Sequence, residues 1–247
     1  MAPKIIVTMV GLLVILAVLI FKRVRPIRKP GFEGIEDARA ARAYDKISKW
    51  PQFRILRRLV VRKLRRYHPS GILADIGCGP GLLTMLIARE FPRLNVLGLD
   101  TAQEMIKAAT ANVASRGFQR RVEFRQGDIR SLPLPDHTLD FAASSLSLHH
   151  WSEPERGLAE IHRALKPGGR LLLFDTRRDT RLIFYLMMIF ATSIVMPSAM
   201  REIREPLGSV LASYTPIEIK ELFSRSPFKE CQVHGGAGWM FVWAKKE

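Results

Sequence analysis

An α/β fold with a mainly parallel, twisted sheet is predicted by three observations. From Ile72 onward, apolar strand-like runs alternate with helical patterns through short connections, the arrangement that lays strands parallel and covers both faces of the sheet with helices. A glycine-rich bend, Gly77-Cys-Gly79-Pro-Gly81, separates the first run from the first helical pattern after it. Two later runs end in carboxylates, Asp100 and Asp128, and in open α/β sheets ligands sit beyond the carboxyl ends of the strands.

The first element along the chain is of another kind. Ile5 to Phe21 is seventeen residues without a charge, and at about 1.5 Å rise per residue this approaches the lower limit for crossing a hydrocarbon core. Lys22, Arg23, Arg25, Arg28 and Lys29 follow it, while only Lys4 precedes it. The positive-inside rule then leaves the bulk of the chain in the cytoplasm. A cleaved secretory signal is the competing reading, but no small-x-small site precedes the basic run. The expectation is a single-pass N-terminal transmembrane helix and basic flank over residues 1–29, a basic helical segment over 30–70, and an α/β domain over 71–247.

The net charge of the 247-residue chain is +16, and 16 basic against 4 acidic residues lie between Lys22 and His68. Charge concentrated beside a presumed membrane segment is placed to attract anionic lipid. Nucleic acid is disfavoured as a partner, because aromatic platforms for base stacking are scarce in that segment. The two cysteines, Cys78 and Cys231, make neither a disulfide framework nor a zinc site, and no cluster has metal-ligand spacing.

From Trp50 to Tyr67 a helical pattern sets Phe53, Leu56, Leu59, Val60 and Leu64 on one face and arginines mainly on the other. Such a helix suits anionic lipid or the side of a domain equally. The strands are expected at Ile72–Ile76, Val96–Leu99, Val122–Arg125, Leu139–Ser144, Arg170–Asp175, Cys231–His234 and Trp239–Ala244. Thr101-Ala-Gln-Glu104, Ser152-Glu-Pro-Glu155 and Thr215-Pro-Ile-Glu218 read as capping boxes. Lys166-Pro-Gly-Gly169 reads as a helix stop before the fifth strand. Between the fifth and sixth strands, Arg181 to Met196 is apolar on nearly every side. A full crossing there is excluded, since the chain must return to supply the last strands. It is either a buried core helix or a lid that lines an apolar pocket opening toward lipid.

The glycine bend carries the ligand chemistry. Glycine lets a ligand approach the backbone closely, and the helix that follows offers unpaired N–H groups. Its spacing is GxGxG, which is neither the dinucleotide fingerprint nor a phosphate-binding loop ending in Gly-Lys-Ser/Thr. Asp100, nineteen residues beyond Gly81, can accept hydrogen bonds from both hydroxyls of a ribose. Asp128 could accept from an exocyclic amine, with Ile129 covering a purine face. Together these features describe an adenosyl ligand.

LADIGCGPG, LGLD, QGDIRSLPLPDHTLDFAASSLSLHHW and LKPGGRLLLFD, in this order, resemble the motif series of class I S-adenosylmethionine-dependent methyltransferases. The likeness is nearest to the group that holds the ubiquinone/menaquinone C-methyltransferases and related lipid enzymes. It implies a Rossmann-like, seven-stranded α/β sheet with an antiparallel last strand. It also implies S-adenosylmethionine as cofactor: Asp75, Gly77, Gly79 and Gly81 around its methionine part, Asp100 and Thr101 at the ribose, Asp128 and Ile129 at the adenine, Ser145 or Leu146 near the sulfonium.

A sulfonium methyl is already activated, so alignment and exclusion of water do most of the work. Where the acceptor must lose a proton, His149 and His150 at the end of the fourth strand are the candidate bases; the alternative is that they cap a turn or fill a wall. Anchor, basic collar and apolar insertion point to a hydrophobic or membrane-resident acceptor: a quinone precursor, an isoprenoid or fatty compound, or a phospholipid headgroup. The rival readings are a soluble small-molecule or nucleic-acid methyltransferase and a non-catalytic cofactor-binding membrane scaffold.

Overall fold

The structure is a computed structural model that describes residues 2–29, 35, 37–114, 117 and 120–247, without the side chains of residues 2–7 and 10. Ten α-helices and seven strands are formed among these residues: α1 Ala2–Phe21, α2 Ala38–Ser48, α3 Pro51–Arg65, β1 Gly71–Ile76, α4 Leu82–Glu90, β2 Leu94–Asp100, α5 Gln103–Ala114, β3 Val122–Gln126, β4 Leu139–Ser145, α6 Pro154–Ala164, β5 Leu165–Thr176, α7 Leu182–Phe190, α8 Ser198–Glu202, α9 Leu207–Ala212, α10 Pro216–Ser224, β6 Gln232–Gly235 and β7 Trp239–Lys245. The sheet order is β3-β2-β1-β4-β5-β7-β6. Strands β1 to β5 are parallel, and β7 runs antiparallel to both of its neighbours. The expected seven-stranded sheet with one reversed strand is therefore present.

Period-two alternation builds a core on each face. Leu171 and Leu173 of β5 join Leu158 and Ile161 of α6 and Ile219, Leu222 and Phe223 of α10. Leu172 and Phe174 turn the other way, toward Val60, Val61 and Leu64 of α3 and Leu83 and Ile87 of α4. The basic helix α3 thus spends its apolar stripe on the domain. Arg54, Arg58 and Arg62 stay in solvent.

Several expectations are corrected. No helix among the described residues is long and apolar enough to cross a membrane. The transmembrane helix expected over Ile5–Phe21 is not found among the described residues: α1 forms over Ala2–Phe21 and packs against α7 of the domain. Helix α6 stops at Ala164 as expected, yet Lys166-Pro-Gly-Gly169 belongs to β5, where the register against β4 shifts between Leu139 and Phe141. Two helices begin away from their expected capping boxes. Helix α5 begins at Gln103, too late for Thr101 to cap it, and Asp100 takes the Ala102 N–H instead at 3.0 Å. Helix α6 has Glu153 at its cap position with no side-chain cap bond. The third box is complete, with Thr215 and Glu218 bonded reciprocally and Pro216 opening the helix.

The apolar insertion becomes α7, a π-helical turn over Ala191–Val195, and α8. No residue of α7 is buried, which excludes the core-helix reading. The segment closes over the carboxyl end of the sheet.

Candidate active site

A cavity of about 1330 Å³ lies at the carboxyl ends of β1, β2 and β4. Gly77, Gly79, Asp100, Thr101, Asp128 and Ile129 line one end of it, and His149, His150 and Leu146 the middle. Phe184, Met187, Met188, Phe190 and Val195 of the insertion form the far wall.

The bend after β1 is held by the neighbouring strand, as the N–H groups of Gly77 and Cys78 both donate to the Leu99 carbonyl, at 2.8 and 3.0 Å. Gly77 sits at φ 69°, and a Cβ there would meet Ser147 Oγ at 2.1 Å. Gly79, at φ 52°, lines the cavity, and a Cβ there would touch Tyr44 Cε1 at 3.5 Å. Gly81 differs from the expectation. It caps α4 and packs under the Phe124 ring, away from the cavity wall.

Asp100 is the fixed acid of the site. Its Oδ2 accepts the Gly79 N–H at 2.8 Å and its Oδ1 the Ala102 N–H. A carboxylate offers about four acceptor positions, so each oxygen keeps one for a ribose hydroxyl. Burial raises its pKa above the ordinary carboxylate value, and the backbone N–H groups of Ala102, Gly79 and Thr101 work against that rise.

Asp128 is committed differently. Arg130 donates to its Oδ2 from Nη2 at 2.6 Å and to its Oδ1 from the backbone N–H at 2.8 Å, and its Nε reaches both oxygens. The pair holds the Asp128 pKa below the ordinary value. An adenine amine would share this carboxylate with an arginine, while Ile129 remains buried beside it.

Asp75 and Ser145 are off the main cavity and border a small recess behind the bend. The left-handed turn at Leu146, φ 56°, brings Leu146 to the wall in place of Ser145. Asp75 is buried and accepts from Thr84 Oγ1 at 2.6 Å. Burial drives its pKa to about 7, with the Asp100 charge adding to the rise. A carboxyl whose folded pKa exceeds its unfolded value favours folding most below the unfolded value, here 3.8, and loses that advantage as pH rises toward 7. Asp75→Asn is therefore expected to flatten the fall in stability between pH 4 and 7, a change of up to about 4 kcal/mol, followed by denaturant melts across that range.

At the end of β4 the two histidines part company. His149 is 2% exposed. Its Nδ1–H donates to Asp175 Oδ1 at 2.6 Å, and its backbone N–H donates to Oδ2 at 3.1 Å. Thr176 N–H adds a bond to Oδ1 at 2.7 Å. Because the carboxylate accepts at Nδ1, Nε2 carries the free lone pair. Among the described residues, this Nε2 is buried without a hydrogen-bond partner, on a side chain that lines the cavity. Burial lowers the His149 pKa, but the charge and hydrogen bond of Asp175 outweigh it and the net shift is upward. His150 is half-buried, its ring 4.1 Å from that of His149.

Two acids of this region were not singled out from sequence. Asp175 ends LLLFD as Asp100 ends LGLD, so the same strand-end rule would have found it. Glu205 follows the apolar insertion, lines the cavity and accepts from Ser209, with its pKa raised by burial. No pattern in the sequence marks it. Tyr44 of α2 closes the bend side of the cavity, and burial pushes its hydroxyl up to about 12.

Comparison with known proteins agrees with this geometry. Residues 74–173 match a methyltransferase domain family. The demethylmenaquinone methyltransferase of Lactobacillus johnsonii is 27% identical over 70% of this chain and 75% of its own length. The ubiquinone/menaquinone biosynthesis C-methyltransferase of Desulfotalea psychrophila is 32% identical over 63% and 62%. An uncharacterized 37.1 kDa transposon protein of Streptomyces fradiae is 38% identical, with only 34% of its length matched. Among these curated relatives, the chain therefore spans from a third to three quarters of their lengths. The fold recurs in a SAM-dependent methyltransferase of Aquifex aeolicus, TM-score 0.60 at 19% identity over 85% of this chain and 99% of that one. It recurs in phosphoethanolamine N-methyltransferase 2 of Haemonchus contortus, solved with S-adenosyl-L-methionine, TM-score 0.62 at 18% identity over 85% and 57%.

Proposed function

We propose that this chain, a class I S-adenosylmethionine-dependent methyltransferase, methylates a hydrophobic acceptor of the quinone-precursor kind. One observation carries the reading. The cavity that begins at the bend and Asp100 runs past His149 and ends on a wall of phenylalanine, methionine and valine. At about 1330 Å³ it exceeds the ~300–1,000 Å³ of an ordinary small-ligand pocket, leaving room beyond a nucleoside for an apolar partner. The names of the quinone-biosynthesis relatives support the same acceptor class.

The residues present fit the donor. Asp100 keeps two acceptor positions, Gly79 puts backbone without a side chain at the cavity wall, and Ile129 offers an apolar face. When bound, S-adenosylmethionine supplies a methyl group on a positively charged sulfur. The apolar far wall orients the acceptor and keeps water out, which strengthens every electrostatic contact inside. His149 Nε2 takes the proton that the acceptor loses as carbon is transferred, and Asp175 holds the imidazole in the required tautomer and stabilises its cation.

The test is incubation of the purified full chain with radiolabelled S-adenosylmethionine and a demethylated prenyl hydroquinone, beside total membrane lipid, RNA and protein. Label is expected in the prenylated hydroquinone. Label confined to RNA or protein, or binding of the donor without any transfer, overturns the reading.

A further inference from the structure

We infer that α1 and the α7 insertion form one docking surface for an anionic lipid bilayer, through which the acceptor enters the cavity sideways. The inference rests on the proposed hydrophobic acceptor and gives the route by which it arrives.

Two apolar segments far apart in sequence are tied together at one place. Leu182 N–H donates to the Lys22 carbonyl at 2.8 Å and Val24 N–H to the Thr180 carbonyl at 2.9 Å. Arg23 and Arg181 form a β-bridge, and the Arg181 guanidinium lies 5.8 Å from the Phe21 ring centre. Helix α1 packs against α7 from this junction.

Over α7 and the π-helical turn the insertion presents apolar side chains to two sides. Phe184, Met188, Ala191 and Val195 line the cavity, at the three- and four-residue spacing of one helical face. Ile183, Leu186 and Ile194 recur at similar spacing, lie outside the lining and are exposed, Ile194 by 65%. Leu12, Leu13, Ile15, Leu16 and Phe21 of α1 are exposed as well, Phe21 by 72%. An apolar surface of this extent on a folded chain marks an interaction site. One wall of the cavity is therefore a helix that also leaves Ile183 and Leu186 exposed, with Ile194 beyond it.

Charge decides the occupant. Lys22, Arg25 and Lys29 are exposed immediately after α1. Arg54 and Arg58 are exposed on α3, whose Phe53 and Ile55 line the cavity. Apolar side chains bordered by lysine and arginine fit the interface of a membrane that carries negative headgroups. A second copy of this chain would bring the same positive charges against one another.

The experiment is flotation of the full chain with phosphatidylglycerol/phosphatidylcholine vesicles and with phosphatidylcholine alone. Two double variants accompany it, Leu186→Asp with Ile194→Asp, and Leu13→Asp with Leu16→Asp. Wild type is expected to float with the anionic vesicles, at least tenfold less with the neutral ones, and less as salt rises. Each double variant is expected to lose at least tenfold in vesicle binding while S-adenosylmethionine affinity, read by calorimetry, stays unchanged and shows that the fold is intact. Equal flotation with neutral vesicles, undiminished binding by both variants, or a stable dimer that ignores vesicles overturns the inference. Flotation requires no turnover, so its failure is distinct from a failure of methyl transfer.

Discussion

Asp100→Ala is expected to lower affinity for S-adenosylmethionine by about 10²- to 10⁴-fold, because two hydrogen bonds to a charged acceptor contribute about 1.5–3 kcal/mol each. The substitution also leaves the Gly79 and Ala102 N–H groups without the oxygens they now use, so the bend loses the anchor that shapes it. Asp128→Ala provides the contrast. Its oxygens are already taken by Arg130, so its removal should cost the donor far less, on the order of tenfold. Titration calorimetry of both variants checks the ranking. Equal losses at the two positions would mean that the ribose is held elsewhere.

His149→Ala should reduce kcat by about 10²- to 10⁴-fold, the range for loss of a positioned base, with donor affinity preserved. The pH profile separates a base from a wall residue. His149 must be neutral to accept a proton, and its pKa lies above the ordinary 6.5. kcat/KM should therefore rise with pH through a value above 6.5. Asp175→Asn removes the charge that raises this pKa and leaves the burial that lowers it, so the rising limb should move to lower pH even as kcat drops. It also replaces one of the two oxygens that accept from His149 and Thr176 with a donor, which loosens the ring. A profile unmoved by Asp175→Asn would falsify the pairing of the two residues in catalysis.

Local signals made much of this fold legible. The strands at 72–76, 96–99, 122–125 and 139–144 are each recovered within two residues of the observed ends, since an apolar run between turn residues forms a strand wherever it lands. Strand β5 starts earlier than its apolar run, because Lys166-Pro-Gly-Gly169 is drawn into the ladder by β4 on one side and by Lys246, whose carbonyl accepts from Gly168, on the other. Capping boxes were readable only where the helix begins at the expected residue, as at Thr215. At Thr101 the stronger acceptor one residue earlier, Asp100, took the N–H.

By itself the sequence determined the order of strands and helices, the bend after β1 and the acid at the tip of β2, because each depends on residues within a few positions of one another. Only the tertiary structure decided which of the marked residues meet. It brought Asp175 of β5 beneath His149, moved Gly81 under Phe124, and set α7 beside α1. Hydrogen bonds and burial between elements 26 or more residues apart carry no local pattern, and they alone leave one imidazole nitrogen unpartnered in an apolar cavity.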